Sequence, residues 1–177
     1  MDERLFPILT RRSFLTAGSV WLGASLASPT LLRASAAQEK SLFLYNIHTG
    51  EWFKRCYKES GRYVKESLHE LSYFMRCRRS GERHTMDPRI YDLVHMLQKS
   101  LHTSKPFELI CGYRSPAANG KMHLCSSGVA KKSLHMSGKA VDLRLVGTPL
   151  KTLRDAAKAQ RAGGVGYYPR SGFVHVD

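Results

Sequence analysis

The sequence is poor in acidic residues. Its 177 residues include 14 Asp and Glu against 28 Lys and Arg, which gives a formal net charge of +14 at pH 7. An excess of this sign favours a polyanionic partner, such as a nucleic acid, an anionic membrane surface or another polyanion. A chain of this length suffices for one domain with a single hydrophobic core, preceded by a processing segment.

The sequence also lacks an uninterrupted apolar run of membrane-spanning length. Residues 17–32 are uncharged, but two glycines, a proline and several serines interrupt them. The pair Arg11-Arg12, followed by Ser-Phe-Leu, precedes this stretch, and the small residues 34–36 follow it. This order is typical of a twin-arginine signal peptide, so we predict that residues 1–36 direct export and are removed. The alternative is an anchor that stays attached.

Export narrows the choice of polyanion. Residues 1–36 contain four basic and two acidic residues, so residues 37–177 keep a formal charge of +12. An exported protein seldom meets nucleic acid, whereas the bacterial envelope carries carboxylates and phosphates in peptidoglycan, lipopolysaccharide and teichoic acids. We therefore expect a periplasmic or envelope protein that binds no nucleic acid and has no stable membrane insertion after cleavage. For an individual cluster such as 76–79, a solvated basic face without a partner is the alternative.

Cysteine is scarce, and its spacing excludes two kinds of site. The four cysteines are Cys56, Cys77, Cys111 and Cys125, and no two of them form a Cys-x-x-Cys pair. This argues against a zinc ribbon and against a thioredoxin-type redox site. An exported protein permits disulfides, but free thiols explain the pattern equally well.

The hydrophobic periodicity predicts an α+β domain over residues 37–177. Asp87 followed by Pro88 is typical of a helix start. There is no internal repeat, so we expect an antiparallel sheet with helices packed on one face, with the first two strands as a hairpin at its edge. Strands are predicted at 41–47, 51–57, 107–113, 139–145, 165–168 and 173–177, and helices at 62–79, 88–101, 117–127 and 149–161.

Two strands carry side chains suited to a metal. Period-2 alternation places Asp142 on the face opposite Val141 and Leu143, and it places His175 and Asp177 together on one face of the last strand. With His135 just before the first of these strands, two His and one Asp would leave a fourth tetrahedral position for water, as a catalytic zinc site requires. Zinc would lower the pKa of that water to about 7. The six other histidines have no such context and are not expected to bind metal.

The spacing Ser133-x-His135-x-x-Gly138-x-Ala140-x-Asp142 followed by His175-x-Asp177 resembles the D-Ala-D-Ala carboxypeptidase, murein endopeptidase and Hedgehog-like zinc peptidases. The fuller set of motifs resembles the exported murein endopeptidase K type and extends over essentially the whole of residues 37–177. These motifs are Asn-x-His-Thr-Gly-Glu at 46–51, Gly-Tyr-Arg-Ser at 112–115, Gly-Val-Ala-Lys-Lys-Ser at 128–133 and Gly-Gly-Val-Gly-Tyr-Tyr-Pro at 163–169.

The resemblance implies Zn²⁺ ligands at His135, Asp142 and His175, and a fold of the Hedgehog and D-Ala-D-Ala peptidase type. It implies that Arg114 holds a substrate carboxylate or the developing oxyanion, with a turn-stabilising arginine as the alternative. Many relatives place an acidic or imidazole side chain three residues before the last ligand, but here this position is Gly172. Asp177 is therefore the candidate general base, or alternatively it orients a ligand imidazole.

The resemblance implies a zinc-dependent hydrolase of amide bonds in the peptide cross-links of peptidoglycan. One alternative is a carboxypeptidase that trims the terminal D-alanine from uncross-linked stem peptides. The other is a zinc-stabilised peptidoglycan-binding module without turnover, which the glycine at position 172 favours.

Overall fold

The computed structural model describes residues 39–125 and 128–177. The predicted signal peptide and its cleavage site lie outside the described residues. The strands are β1 (Lys40–Asn46), β2 (Trp52–Glu59), β3 (Arg62–Tyr63), β4 (Phe107–Cys111), β5 (Val141–Leu145), β6 (Val165–Tyr168) and β7 (Phe173–Val176). The helices are α1 (Lys65–Phe74), α2 (Pro88–Ser100), α3 (Pro116–Cys125) and α4 (Leu150–Gln160), with a 3₁₀ turn at Leu134–Ser137. No described helix is both long enough and apolar enough to cross a membrane.

The seven strands form one sheet in the order β3-β2-β1-β4-β5-β7-β6. The sheet is mostly antiparallel, as predicted, but β1 and β4 pair in parallel while the other neighbours pair antiparallel. Two helices, α1 and α2, connect β1 and β2 to β4, and a crossover of that length allows a parallel return. The expected edge hairpin was misplaced, since β1 lies inside the sheet and β3 forms its edge.

The first helix is shorter than its periodicity predicted. Arg62 and Tyr63, expected to begin the helix, instead form β3 and pair with β2. The turn between the two strands has Ser60 at φ 50° and Gly61 at φ 78°, and positive φ at both central residues is what a two-residue hairpin requires. The helix then ends at Phe74, because Met75 leaves it to accept a hydrogen bond from the backbone of Tyr113 at 2.8 Å.

Three helices contact the sheet, and the strand residues that build the core share one of its faces. Cross-strand partners point to the same side, so this face can be followed from β1 to β7 through pairs that are all buried. The pairs are Leu44 with Phe107, Phe107 with Leu145, Leu109 with Leu143, Leu143 with Val174, and Val141 with Val176. The helices with contacts to the strands are α1, α2 and α4.

The opposite face of β5 carries the polar side chains that the alternation predicted. Asp142 pairs with His175, and Arg144 pairs with Glu108 and forms a salt bridge with its carboxylate. The apolar residues of β5 anchor the strand against the helices, so its polar residues are held in fixed positions on the side away from them. The metal-binding residues predicted from the sequence lie on this side.

A carboxylate on α2 joins that helix to the sheet. Asp92 accepts hydrogen bonds from the hydroxyls of Tyr57 at 2.9 Å and Tyr63 at 2.7 Å, and from the ammonium groups of Lys40 at 2.9 Å and Lys58 at 3.0 Å. Partial burial by itself would raise the pKa of Asp92, but these four hydrogen bonds outweigh it and hold the pKa well below its usual range. The ionised form of Asp92 therefore stabilises the fold.

We predict that Asp92→Asn lowers the free energy of unfolding at pH 7 by about 2–4 kcal/mol, because two ammonium groups lose their counter-charge. The folded-state pKa of Asp92 lies below the unfolded value, so its contribution is complete above about pH 4 and is lost as the pH falls towards the folded-state pKa. Denaturant unfolding should show the gap between wild type and variant narrowing in acid. Asp155→Asn, at an exposed carboxylate, should change stability by less than about 0.5 kcal/mol. A gap independent of pH would contradict this role.

Candidate metal centre

Three side chains predicted as metal ligands converge at one end of β5. Asp142 and His175 are direct cross-strand partners on β5 and β7, and His135 comes from the 3₁₀ turn that precedes β5. His135 and Asp142 are almost fully buried, with exposures of 2% and 4%, while His175 is half-buried. We call these three side chains the ligand triad.

The ligand triad has the dimensions of a small tetrahedral site. Nε2 of His135 lies 3.2 Å from Oδ1 of Asp142 and 3.1 Å from Nδ1 of His175, and that Nδ1 lies 2.9 Å from the same Oδ1. Zinc bonds of 2.0–2.1 Å in tetrahedral geometry separate neighbouring ligand atoms by about 3.3 Å. The triad therefore fits a zinc ion after an expansion of a few tenths of an ångström.

The outer nitrogen of each imidazole has a hydrogen-bond acceptor of its own. Nδ1 of His135 lies 2.7 Å from the carbonyl oxygen of Gly112, and Nε2 of His175 lies 3.3 Å from Oδ2 of Asp177. A carbonyl and a carboxylate only accept, so each of these nitrogens must donate. In the neutral tautomers, the two inner nitrogens then carry no hydrogen and direct lone pairs at the Asp142 carboxylate.

Three acceptors at this separation repel one another unless a positive charge lies among them. A proton supplies the charge in part: burial disfavours the charged imidazole of His135, but hydrogen bonds with Asp142 and Cys111 outweigh burial and raise its pKa. Burial likewise opposes ionisation of Asp142, yet hydrogen bonds from the two histidines lower its pKa. The donor set of two imidazoles and one carboxylate, with outer hydrogen bonds fixing both rings, is that of a divalent metal site.

Arg114, the predicted substrate-binding cation, lies beside the ligand triad. Its side chain is 12% exposed, and Nη2 lies 3.7 Å from Oδ2 of Asp142, the oxygen that does not face the histidines. Nη1 donates to Oδ1 of the buried Asn119 at 3.4 Å, and the backbone N–H of Arg114 donates to the carbonyl of His135 at 3.2 Å. Asn119 of α3 thus holds the guanidinium, and the turn that carries His135 holds the backbone of Arg114. The other guanidinium N–H groups remain directed at the site.

Asp177 is held by the glycines of the loop after α4. Oδ1 accepts from the backbone N–H of Gly164 at 2.8 Å, and the backbone N–H of Asp177 donates to the carbonyl of Gly164 at 3.2 Å. A Cβ on Gly163 would lie 1.9 Å from the backbone oxygen of Asp177, and one on Gly164 would lie 2.7 Å from Oδ2. Only glycine at both positions allows this close approach.

Gly172, which cannot transfer protons, has a backbone role. It adopts φ 72° in the turn between β6 and β7, and its N–H donates to the carbonyl of Tyr168 at 2.9 Å. This left-handed conformation favours glycine, so the departure from many relatives at position 172 fits the hairpin that presents His175.

Two cavities reach this region. One of about 130 Å³ is lined by Asp142, Arg114 and Cys111 together with Phe173 and the arginines at 78 and 79. The other is a groove of about 430 Å³ lined by residues of α2, by Leu134 and Lys139, and by Asp177. The cavity thus includes one member of the ligand triad, Asp142, and the groove includes Asp177, the hydrogen-bond partner of another.

Comparison with known proteins agrees with this arrangement. Residues 34–177 match the family model described as peptidoglycan L,D-endopeptidase MepK. The chain belongs to the MepK peptidase family. It is 44% identical over 168 residues to the peptidoglycan L,D-endopeptidase MepK of Escherichia coli (strain K12), covering 94% of this chain and 92% of the relative. It is 38% identical over 169 residues to the probable peptidoglycan L,D-endopeptidase MepK of Haemophilus influenzae, covering 94% and 91%.

Membership of the MepK family confirms the resemblance inferred from the motifs. No solved structure matches the chain significantly, so the expected likeness to the Hedgehog and D-Ala-D-Ala peptidase fold stays a prediction.

Histidines outside the ligand triad lie near backbone carbonyl oxygens: a ring nitrogen of His48 lies 3.0 Å from the carbonyl oxygen of Ile110, and one of His123 lies 2.7 Å from that of Val129.

Sequence reasoning missed two residues of this MepK-family site. Asn119 is nearly fully buried. It accepts a hydrogen bond from the guanidinium of Arg114 and donates to the carbonyls of Ala130 and Lys131. Cys111, considered only as a free thiol or a disulfide partner, lies next to the ligand triad. None of the four thiols, all within the described residues, forms a disulfide. The sequence offered one indication of this position, because Cys111 directly precedes the Gly-Tyr-Arg-Ser motif that contains Arg114.

We predict that Gly163→Ala lowers the free energy of unfolding by about 1–3 kcal/mol, because its Cβ would collide with the backbone of Asp177 and force β7 to move. Gly120→Ala is the matched control: it meets open space in α3 and should stabilise the helix by up to about 1 kcal/mol. Denaturant unfolding separates the two outcomes. Equal stability of the two variants would contradict the close packing described for the Asp177 backbone.

Proposed function

We propose that this protein is a zinc-dependent murein endopeptidase that hydrolyses amide bonds in the peptide cross-links of peptidoglycan, with His135, Asp142 and His175 as the metal ligands. The observation that carries the proposal is the convergence of three lone pairs within 3.2 Å, with both outer imidazole nitrogens already occupied. The relatives are named as peptidoglycan L,D-endopeptidases, which supports the substrate and the L,D type of cross-link.

Zinc, when bound, supplies a Lewis acid and activates water for attack at neutral pH. The protein contributes position and charge. Arg114 has its planar donor group 3.7 Å from Asp142 Oδ2 and lines the same cavity, so it stabilises the oxyanion that develops on the substrate carbonyl, or binds a substrate carboxylate. Asn119 holds the guanidinium in that position.

Of the two roles predicted for Asp177, its contacts favour orientation of His175. Its carboxylate lies 3.3 Å from the outer nitrogen of that ring, while the inner nitrogen faces Asp142. A carboxylate there fixes the tautomer in which the inner nitrogen binds metal. We therefore propose Asp177 as a positioning residue, and its role as general base stays a prediction.

Export would bring the domain to its proposed substrate. The twin-arginine motif at residues 10–16 would deliver the domain of residues 37–177 to the periplasm, where peptidoglycan is available. The excess of basic residues is suited to a wall polymer that carries carboxylates.

The rival activities differ in their products. A carboxypeptidase would release free D-alanine from uncross-linked stem peptides, whereas an endopeptidase converts cross-linked dimers into monomers. A binding module would retain zinc and bind the cell wall without hydrolysis. The similarity to relatives named as peptidoglycan endopeptidases favours the endopeptidase.

We predict that the purified protein converts L,D-cross-linked muropeptide dimers to monomers, that a chelator abolishes this activity and that added zinc restores it. Asp142→Ala should lose both the bound zinc and the hydrolysis, because one of three ligands is removed. Asp155→Ala, which removes an exposed carboxylate on α4, should retain both. Chromatography of the digest and elemental analysis of each preparation measure the two quantities. Zinc-loaded wild type without dimer loss would contradict the endopeptidase and favour the binding module.

We predict that Arg114→Ala lowers kcat/KM by about 10²–10³-fold while the protein keeps its zinc, because a donor to the developing oxyanion is lost. Arg114→Lys should recover only part of the rate, since an ammonium group cannot reproduce the planar fork. Arg55→Ala, at an arginine 64% exposed on β2, is the matched control. If Arg114→Ala kept the wild-type kcat/KM, Arg114 would have no role in the reaction and would only stabilise the turn.

A further inference from the structure

The ligand triad has a sulfur neighbour that the family motif does not include. Sγ of Cys111 lies within 4.8 Å of a ligand atom of His135 and of one of Asp142. Cys111 also lines the 130 Å³ cavity with Asp142 and Arg114. Its thiol is half-buried and unpaired with any other cysteine.

An irregularity in β4 brings this side chain to the site. Glu108 pairs with Arg144 and Leu109 with Leu143, so regular antiparallel pairing would place Ile110 opposite Asp142. The register shifts after Leu109, and Cys111 becomes the partner of Asp142 instead. Bulges of this kind re-aim side chains and are frequent beside active sites. The bulge thus exchanges an apolar side chain for a metal-binding one.

The sulfur of Cys111 has a cationic neighbour. Nη2 of Arg114 lies 3.6 Å from Sγ, so the sulfur accepts from a permanently charged guanidinium. The same guanidinium lies beside the carboxylate of Asp142. A thiolate bound to metal would therefore have an outer hydrogen-bond donor, as ligands in metal sites generally do.

We propose that Cys111 is a fourth protein ligand of the metal in the resting site; this rests on the metal centre proposed above. Zinc–sulfur bonds of about 2.3 Å place the sulfur about 3.5 Å from the other ligand atoms. From within 4.8 Å of the ligand atoms of His135 and Asp142, the sulfur would have to move by about 1 Å to reach this separation. On binding, the thiol loses its proton to solvent and the metal–sulfur bond forms.

This ligand has two consequences. A thiolate makes the donor set softer and so favours zinc over hard ions such as magnesium and manganese. It also occupies the fourth tetrahedral position, so water reaches the metal only by displacing the sulfur or by expanding the coordination. Removal of the thiol should therefore weaken zinc binding.

The test uses Co²⁺ as the metal probe, because thiolate–cobalt coordination gives a near-ultraviolet charge-transfer band that imidazole and carboxylate ligands do not give. The reduced, Co²⁺-loaded wild-type protein should show this band, and Cys111→Ser should lose it. Cys56→Ser is the matched control and should keep the band, because its thiol lies on β2 and donates to the carbonyl of Lys58. Competition titration should show zinc binding to Cys111→Ser weakened by at least about tenfold, which is the least that even an outer partner contributes.

A second measurement needs no variant. In the wild-type protein, zinc should protect Cys111 from alkylation by iodoacetamide, while the exposed Cys125 reacts equally with and without metal. Peptide mass spectrometry locates the modified residues. Absence of the sulfur band in Co²⁺-loaded wild type, its persistence in Cys111→Ser, or equal alkylation of Cys111 with and without zinc would each overturn the proposal. If hydrolysis remained chelator-sensitive in those cases, the proposed function would stand and only the fourth ligand would fall.

Discussion

The arrangement around the ligand triad depends on one electrostatic constraint: three lone pairs lie within 3.2 Å of one another on the polar side of the sheet. The constraint arises because Gly112 and Asp177 accept from the outer imidazole nitrogens, so that in the neutral tautomers both inner nitrogens are acceptors. Without a proton or a metal ion among these groups, the arrangement would cost the fold the repulsion of a buried carboxylate and two imidazoles. A site that needs a positive charge in this way is suited to a divalent cation.

The rest of the domain holds these groups in place. The apolar faces of β5 and β7 anchor their strands against the helices, and the register between the two strands makes Asp142 and His175 direct partners. The 3₁₀ turn brings His135 to the same position and is itself connected to Arg114, whose N–H donates to the His135 carbonyl. Packing on one side of the sheet and chemistry on the other are therefore set by the same strands.

Much of this site could be predicted from the sequence, because period-2 alternation fixes which side chains share a face of a strand. Asp142 and His175 were placed on the polar side for that reason, although 33 residues separate them. Their distance could not be predicted, since it depends on the register between β5 and β7. The parallel pair of β1 and β4 was missed because a strand's neighbour is decided by contacts distant in sequence. The position of Cys111 was missed because a bulge breaks the alternation on which the prediction relied.

The shortage of acidic residues also affects the charge of the protein surface. Five of the twelve described acidic residues are engaged in contacts inside the fold: Asp92 joins α2 to the sheet, Asp142 and Asp177 belong to the site, and Glu51 and Glu108 pair with arginines. Few acidic groups are then left to neutralise the exposed basic residues, so the charge excess of the sequence becomes a positive surface. A positive surface increases the rate of encounter with an anionic polymer more than it increases affinity. Affinity for such a polymer must then come from other groups, such as those that line the cavity beside Asp142 and Arg114.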